Sequence, residues 1–188
     1  LSDRRNARRA SLSDRVASCA RIVNASNDPW VVWCDLNDED DELRKMIPDA
    51  VAIRGADAID DKESRLADFA QGRARVLISK PSICGWGLNW QHCNNIAFVG
   101  VTDSYEAYYQ AVRRCWRFGQ NRPVNVHVFA SSAEGAVVAN LARKEREAAE
   151  MARALASETA DSIQDSVRGY RRESNPYKTR PMATPEFL

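Results

Sequence analysis

The stretch Tyr109-Gln110-Ala111-Val112-Arg113-Arg114-Cys115-Trp116-Arg117-Phe118-Gly119-Gln120 gathers the groups in this chain best suited to holding an anion. Wound as a helix at about 100° per residue, it places Gln110, Arg114 and Arg117 at i, i+4 and i+7 on one stripe. Tyr108, Ala111, Val112 and Cys115 fall on the opposite stripe. One face therefore packs, and the other presents two guanidinium groups and an amide. A guanidinium is planar, permanently charged, and matches a phosphate through two parallel N–H bonds. A solvated basic helix face is the plainer use of the same residues. The ending Phe118-Gly119-Gln120, followed at once by a Pro-led apolar strand, predicts a sharp stop with the arginines at the helix end, near the carboxyl edge of a sheet.

A second group lies upstream. Ser79-Lys80-Pro81-Ser82 leads into Gly85-Trp86-Gly87-Leu88-Asn89, a loop rich in turn residues. Glycines, having no Cβ, let main chain approach a phosphate closely. A plain turn is the ordinary reading of such glycines, and solvent exposure is that of the serines and lysine. Trp86 offers a ring that stacks on a base or sugar, or packs on a neighbouring domain.

The elements that must position these groups alternate between two periods. Leu12, Val16, Cys19 and Val23 give a helix from Ser11 or Ser13 to about Ala25 its buried stripe. Trp30-Val31-Val32-Trp33-Cys34 is wholly apolar, as expected of a strand covered on both faces. The acidic run Asp35 to Glu42 opens a helix to about Met46, where carboxylates suit the helix dipole and need no further role. Strands follow at 50–53, 76–78, 96–99 and 124–128. Between them lie a helix at 60–71, with Leu66 and Phe69 on its buried side, and one capped by Ser104. A long helix from Glu134 to about Ala156 turns Val137, Leu141, Ala148 and Leu155 inward, with Arg143–Glu147 and Arg146–Glu150 as surface pairs. Ser162 to Tyr170 extends as a short helix, and Pro176, Pro181 and Pro185 argue against regular structure at the end. Residues 1–10, with Arg4, Arg5, Arg8 and Arg9, read as a solvated basic linker, 11–157 as the domain, and 158–188 as a partly irregular extension.

Short strands alternating with helices of this length predict an α/β domain with a mostly parallel sheet. Ligands of such sheets bind beyond the carboxyl ends of the strands, so the loop 79–89 and the arginine helix should share one edge. The 188 residues are 44% hydrophobic and 28% charged, ordinary for a globular protein. The net charge of +1 means that any nucleic-acid affinity must come from local patches. No apolar run approaches the roughly 20 residues of a membrane span, and no secretory signal is visible. Five cysteines without a CxxC pair read as reduced packing thiols of a cytosolic protein. His92-Cys93 is too isolated to argue for zinc, and no metal ligands are assigned.

Gln110 to Gln120 resembles motif VI of superfamily two helicases, most closely the Swi/Snf-type branch. Every fixed position of that branch's Gln-Ala-x-x-Arg-x-x-Arg-x-Gly-Gln is present. Gly85 to Asn89 resembles its motif V, Gly-x-Gly-Leu-Asn. Trp30 to Cys34 falls where motif IV lies, and Gly55, Arg65 and Phe69 match the Gly…Arg…Phe segment before motif V. The resemblance covers roughly residues 30–145, and its wording is similar to helicase-like proteins of phages and prophages.

This resemblance implies a RecA-like three-layer domain, helices on both faces of the sheet, forming the second lobe of a two-lobe DNA motor. It implies ATP with Mg2+ held mainly by an N-terminal RecA-like lobe. Arg114 and Arg117 then reach the triphosphate as catalytic residues, with Gln110 in support. Gly85, Gly87 and Asn89 lie against the nucleotide, and Ser79, Lys80, Ser82 and Trp86 against nucleic acid. The implied partner is DNA, duplex by analogy, in the cytoplasm of a bacterial or phage-infected cell. Arg113 occupies a free position of the motif and reads as surface charge.

The departures are specific. Thr102-Asp103-Ser104-Tyr105-Glu106 stands where Swi/Snf-type members usually carry Trp-Asn-Pro. The chain has no Gly-x-x-x-x-Gly-Lys-Ser/Thr loop and no Asp-Glu-x-His or Asp-Glu-x-Asp box, so alone it is expected to be inactive. The alternative is a non-catalytic nucleic-acid-binding or docking module with inherited motor motifs.

Overall fold

Trp30–Cys34 has no polar side chain to expose, and it forms β1 at the centre of the sheet with all five residues buried. Around it lie β2 (Ala50–Ile53), β3 (Val76–Ser79), β4 (Asn95–Val99) and β5 (Asn125–Phe129). The order is β2-β3-β1-β4-β5, every pairing is parallel, and Val31 sits opposite both Leu77 and Ile96. The computed structural model describes residue 6 and residues 8–84 and 88–169, the side chains of 133 and 160–169 excepted.

Side chains alternate across the strands, so the sheet feeds two cores. Trp30, Val32 and Cys34 pack with Val16, Cys19 and Val23 of α1 (Leu12–Asn24) and Leu43 of α2 (Asn37–Met46). Val31 and Trp33 pack on the other face with Phe69 of α3 (Ile59–Ala70) and Ala111 of α5 (Tyr105–Val112). A single turn of helix, α4 (Pro81–Cys84), follows β3 inside the segment that the sequence reads as loop. Val137 and Leu141 of α6 (Gly135–Gly169) also belong to this second core, so helices cover both faces as expected. Its centre is aromatic: the Trp90 ring lies 6.0 Å from Trp33 and meets the Phe69 ring edge-on at 5.5 Å. Burying a side chain such as Phe69 contributes on the order of 1.5–3 kcal/mol.

The chain divides into two compact units, Leu1–Arg146 and Glu147–Leu188. The second contributes the later part of α6, which continues through the Ser162 region without the break that the sequence suggests. Ala148 and Leu155, expected to face inward, are exposed. Tyr170 and the proline-rich end lie outside the described residues.

Three further expectations are corrected. The helix predicted across Tyr109–Gln120 ends at Val112. The acidic run does more than suit a dipole, because Glu39 and Asp40 are buried. Arg8, placed in a solvated linker by its sequence context, ion-pairs with Asp35 at 2.8 Å and Glu134 at 3.0 Å. The last two are cases of long-range charge pairing, which a local pattern does not carry.

Candidate functional site

Ser104 caps α5, its hydroxyl accepting from the Ala107 N–H at 3.2 Å. Tyr108 packs its ring 5.0 Å from Phe98, and Ala111 is fully buried, so the helix is seated on the sheet. Beyond Val112 the chain turns: Cys115 N–H and Trp116 N–H both donate to Val112 O, at 3.1 and 3.0 Å. This turn carries the arginines.

Arg114 is only 6% exposed. Its Nε donates to Gln110 O at 2.9 Å, one terminal nitrogen donates to Leu88 O at 2.9 Å, and the other reaches Gln110 Oε1 at 3.3 Å. Arg117 is exposed and donates to the same Leu88 O at 3.1 Å. Gln110, Arg114 and Arg117 are thus brought together, by a turn rather than a continuous helix. Buried charges are ordinarily paired. Among the described residues, neither arginine nor Arg113 forms an ion pair with a carboxylate; the acceptors are carbonyl dipoles. Burial, then the like charges of Arg117 and Arg113, lower the Arg114 pKa from its ordinary value. Guanidinium remains charged at neutral pH even so, and the cluster presents positive charge with no carboxylate paired to it among the described residues.

The turn is clamped. The Gln120 amide donates to Gln91 O at 2.9 Å, Cys93 O at 3.1 Å and Cys115 O at 3.3 Å. Trp90 N–H donates to Arg114 O at 2.8 Å, and the Gln91 amide donates to Phe118 O. Gly119 has φ +91°, and a Cβ there would lie 3.0 Å from Gln91 Nε2. Gly119→Ala is therefore expected to destabilise by about 1–2 kcal/mol, since left-handed backbone disfavours a Cβ. A fall in the urea midpoint at constant m-value measures it; an unchanged midpoint refutes the clamp.

Two participants have little sequence signal. The Leu88 acceptor is a main-chain carbonyl, which any residue supplies. Gln120 is a fixed position of the quoted motif, but its clamping role depends on residues 91–93, which no motif names.

The loop 79–89 and the arginine element do meet: α4 packs against α5, and Leu88 accepts from both arginines. Arg114, Arg117 and Gln120 bond to residues 88–93, which lead into the amino end of β4, whereas Ser79–Cys84 leave the carboxyl end of β3. An eight-residue helix is about 12 Å long, enough to carry the chain back from the carboxyl end of β4.

At the carboxyl ends of β1, β2 and β3 lies a cleft of about 440 Å³ lined by Asn37, Arg54, Gly55 and Lys80 among others. Lys80 is half-buried and Ser82 is exposed. Ser79 is 1% exposed, and its hydroxyl donates inward to Ile53 O at 2.9 Å, so that side chain is not presented to a ligand. Arg54 pairs with Asp40 and Asp41. Arg65, of the Gly…Arg…Phe segment, ties Ala52 O to Asp57 at 2.8 and 2.9 Å and so serves the end of β2. Asn89 is exposed. Gly85, Trp86 and Gly87 lie outside the described residues. Among the described residues no group of three or more His, Cys, Asp or Glu is placed to hold a metal, and no helix is long and apolar enough to cross a membrane.

A five-stranded parallel sheet with helices on both faces has the architecture of a RecA-like helicase lobe. It matches the C-terminal domain of the DEAD-box protein Dbp5 with a TM-score of 0.62 at 11% identity, over 70% of this chain and 78% of that one. A DEAD box protein from the hyperthermophile Methanococcus jannaschii matches with a TM-score of 0.62 at 20% identity, over 71% of this chain and 37% of that one. S. cerevisiae Dbp5 bound to RNA and ADP BeF3 also has a TM-score of 0.62, at 11% identity, over 70% of this chain and 36% of that one. The chain thus spans little more than a third of the length of two of these three structures. No curated protein matches it.

The chain belongs to the helicase conserved C-terminal domain family, which its residues 16–119 match. Domains of this family pair with an N-terminal lobe, bind nucleic acid, and serve as a motor lobe in proteins that generally use ATP with Mg2+.

Proposed function

We propose that this chain is the second motor lobe of an ATP-dependent DNA helicase or translocase of the Swi/Snf-type branch, similar to those of phages and prophages. The observation that carries the reading is the convergence of Arg114 and Arg117 on Leu88 O without a carboxylate partner. That arrangement suits a phosphate. ATP with Mg2+, held mainly by the first lobe, supplies the phosphoryl group and the metal's charge neutralisation. Arg117 keeps one bond and is exposed, so it swings to the phosphate at little cost. Arg114 follows when its Leu88 bond opens, and Gln110 keeps it aligned meanwhile. A guanidinium inserted only when two lobes close stabilises developing charge and ties hydrolysis to motion.

Gly85, Gly87 and Asn89 belong to the nucleotide side in this reading. Lys80 at the cleft and the exposed Ser82 after it present their side chains to a nucleic-acid backbone, Ser79 contributes through main chain alone, and Trp86 stacks. DNA is favoured over RNA by the motif wording of residues 85–89 and 110–120.

The test measures ATP turnover of this lobe joined to its first lobe, with duplex DNA, single-stranded DNA or RNA added. Stimulation by duplex DNA is expected, with no turnover by the 188-residue chain alone. Stimulation by RNA alone overturns the DNA assignment. Salt-dependent DNA binding without any turnover favours the docking-module alternative.

A further inference from the structure

Two aromatic side chains flank Arg117. Trp116 is 53% exposed and Phe118 is 99% exposed, and neither joins a core cluster. Their exposure is built into the turn. The Gln120 amide fixes the turn through three carbonyls, the Gln91 amide holds Phe118 O, and Gly119 at φ +91° turns the chain away after it. Arg113 lies over the Trp116 ring at 5.3 Å, so rings and guanidinium groups alternate along the turn. A fixed turn that leaves a phenyl ring wholly in water forgoes the benefit of burying it. The ring is therefore presented for something that arrives.

What arrives must suit both neighbours. The guanidinium groups want phosphate and have no carboxylate among the described residues. The rings want a flat apolar face. A nucleotide carries both in one molecule, at opposite ends. Arg117 and Phe118 are adjacent residues outside any helix, and both side chains are exposed, so one ligand of nucleotide length is able to meet both. We propose that Phe118, with Trp116 beside it, forms a stacking subsite for the base of the nucleoside triphosphate whose phosphates meet Arg114 and Arg117. The subsite rests on the motor-lobe reading above.

The test compares two ligands in the two-lobe protein, a non-hydrolysable ATP analogue and inorganic tripolyphosphate, which has no base. Phe118→Ala is expected to weaken the ATP analogue about tenfold, the scale of one base stacked on an aromatic ring, and to leave tripolyphosphate unchanged. Full exposure of Phe118 makes the fold indifferent to the change. Equal loss for both ligands, or loss for neither, overturns the subsite. So does weakened DNA binding in the absence of nucleotide, which would assign the ring to nucleic acid. Arg117→Ala, run alongside, is expected to weaken both ligands. If it does so while Phe118→Ala fails to discriminate, the base subsite falls and the arginine assignment stands. If Arg117→Ala leaves both ligands and the rate of ATP hydrolysis unaffected, the arginine assignment of the motor-lobe reading itself fails.

Discussion

Arg117→Ala in the two-lobe protein lowers the rate of ATP hydrolysis by about 10³-fold or more, the scale of losing an arginine finger. Its stability stays within about 0.5 kcal/mol of the parent, because the side chain is exposed and gives up one hydrogen bond to Leu88 O. Arg114→Ala behaves differently. It slows turnover to a similar degree and also lowers stability by about 1–3 kcal/mol, since Gln110 and Leu88 lose their donor inside the protein. Steady-state turnover and urea midpoints, measured on both variants, separate the two roles. Arg117→Lys recovers little, because an ammonium keeps the charge but lacks the planar fork. Near-normal turnover in an Arg114→Ala, Arg117→Ala double variant would sink the assignment of both residues.

The same two arginines show how far the sequence reaches. Residues four apart meet on a helix, and Gln110 and Arg114 do meet, although the helix stops two residues before Arg114. The stripe was legible; the end of the helix was not. The φ of Gly119 and the Gln120 bonds fold residues 113–119 into turns, and two of the three Gln120 acceptors, Gln91 O and Cys93 O, lie 29 and 27 residues away in sequence. The strands were read more closely, because Trp30–Cys34 and Val76–Ile78 are apolar on both faces and have no stable exposed alternative. The shared Leu88 acceptor could not be read at all. It is backbone, and it becomes special only when the fold brings α5 beside the chain entering β4. Lys80 and Arg54 lie together in the cleft for the same reason, since only the parallel order of β2 and β3 makes neighbours of residues 26 apart in sequence.

Glu39 carries the largest expected stability effect. Its sequence context, Asn37-Asp38-Glu39-Asp40-Asp41-Glu42, looks like a solvated helix start, yet the side chain is fully buried. One carboxylate oxygen accepts from Arg15 at 2.8 Å; the other accepts from the N–H groups of Asp35 and Leu36 at 2.9 and 3.0 Å. Arg8 approaches it at 3.7 Å, and the buried Glu134 takes the opposite sides of Arg8 and Arg15 at 3.0 and 3.9 Å. Two buried carboxylates, with Asp35 beside them, thus hold two arginines, and the cluster ties the segment before α1 and α1 itself to α2 and the turn after β5. Gly100, at φ +80°, leaves the space in which Arg8 and Arg15 lie. Removing one partner strands the others, which costs far more than the pair contributes when intact. Glu39→Ala is therefore expected to destabilise by about 3–5 kcal/mol, read as a fall in urea midpoint. Glu39→Gln keeps the shape but not the charge, and recovers only part of the loss. Arg15→Met combined with Glu39→Ala removes a charge of each sign, so the double variant should be more stable than the sum of the single losses predicts. Strict additivity would show that the two side chains do not interact, and that the anchoring of Arg8 to this edge of the domain needs another cause.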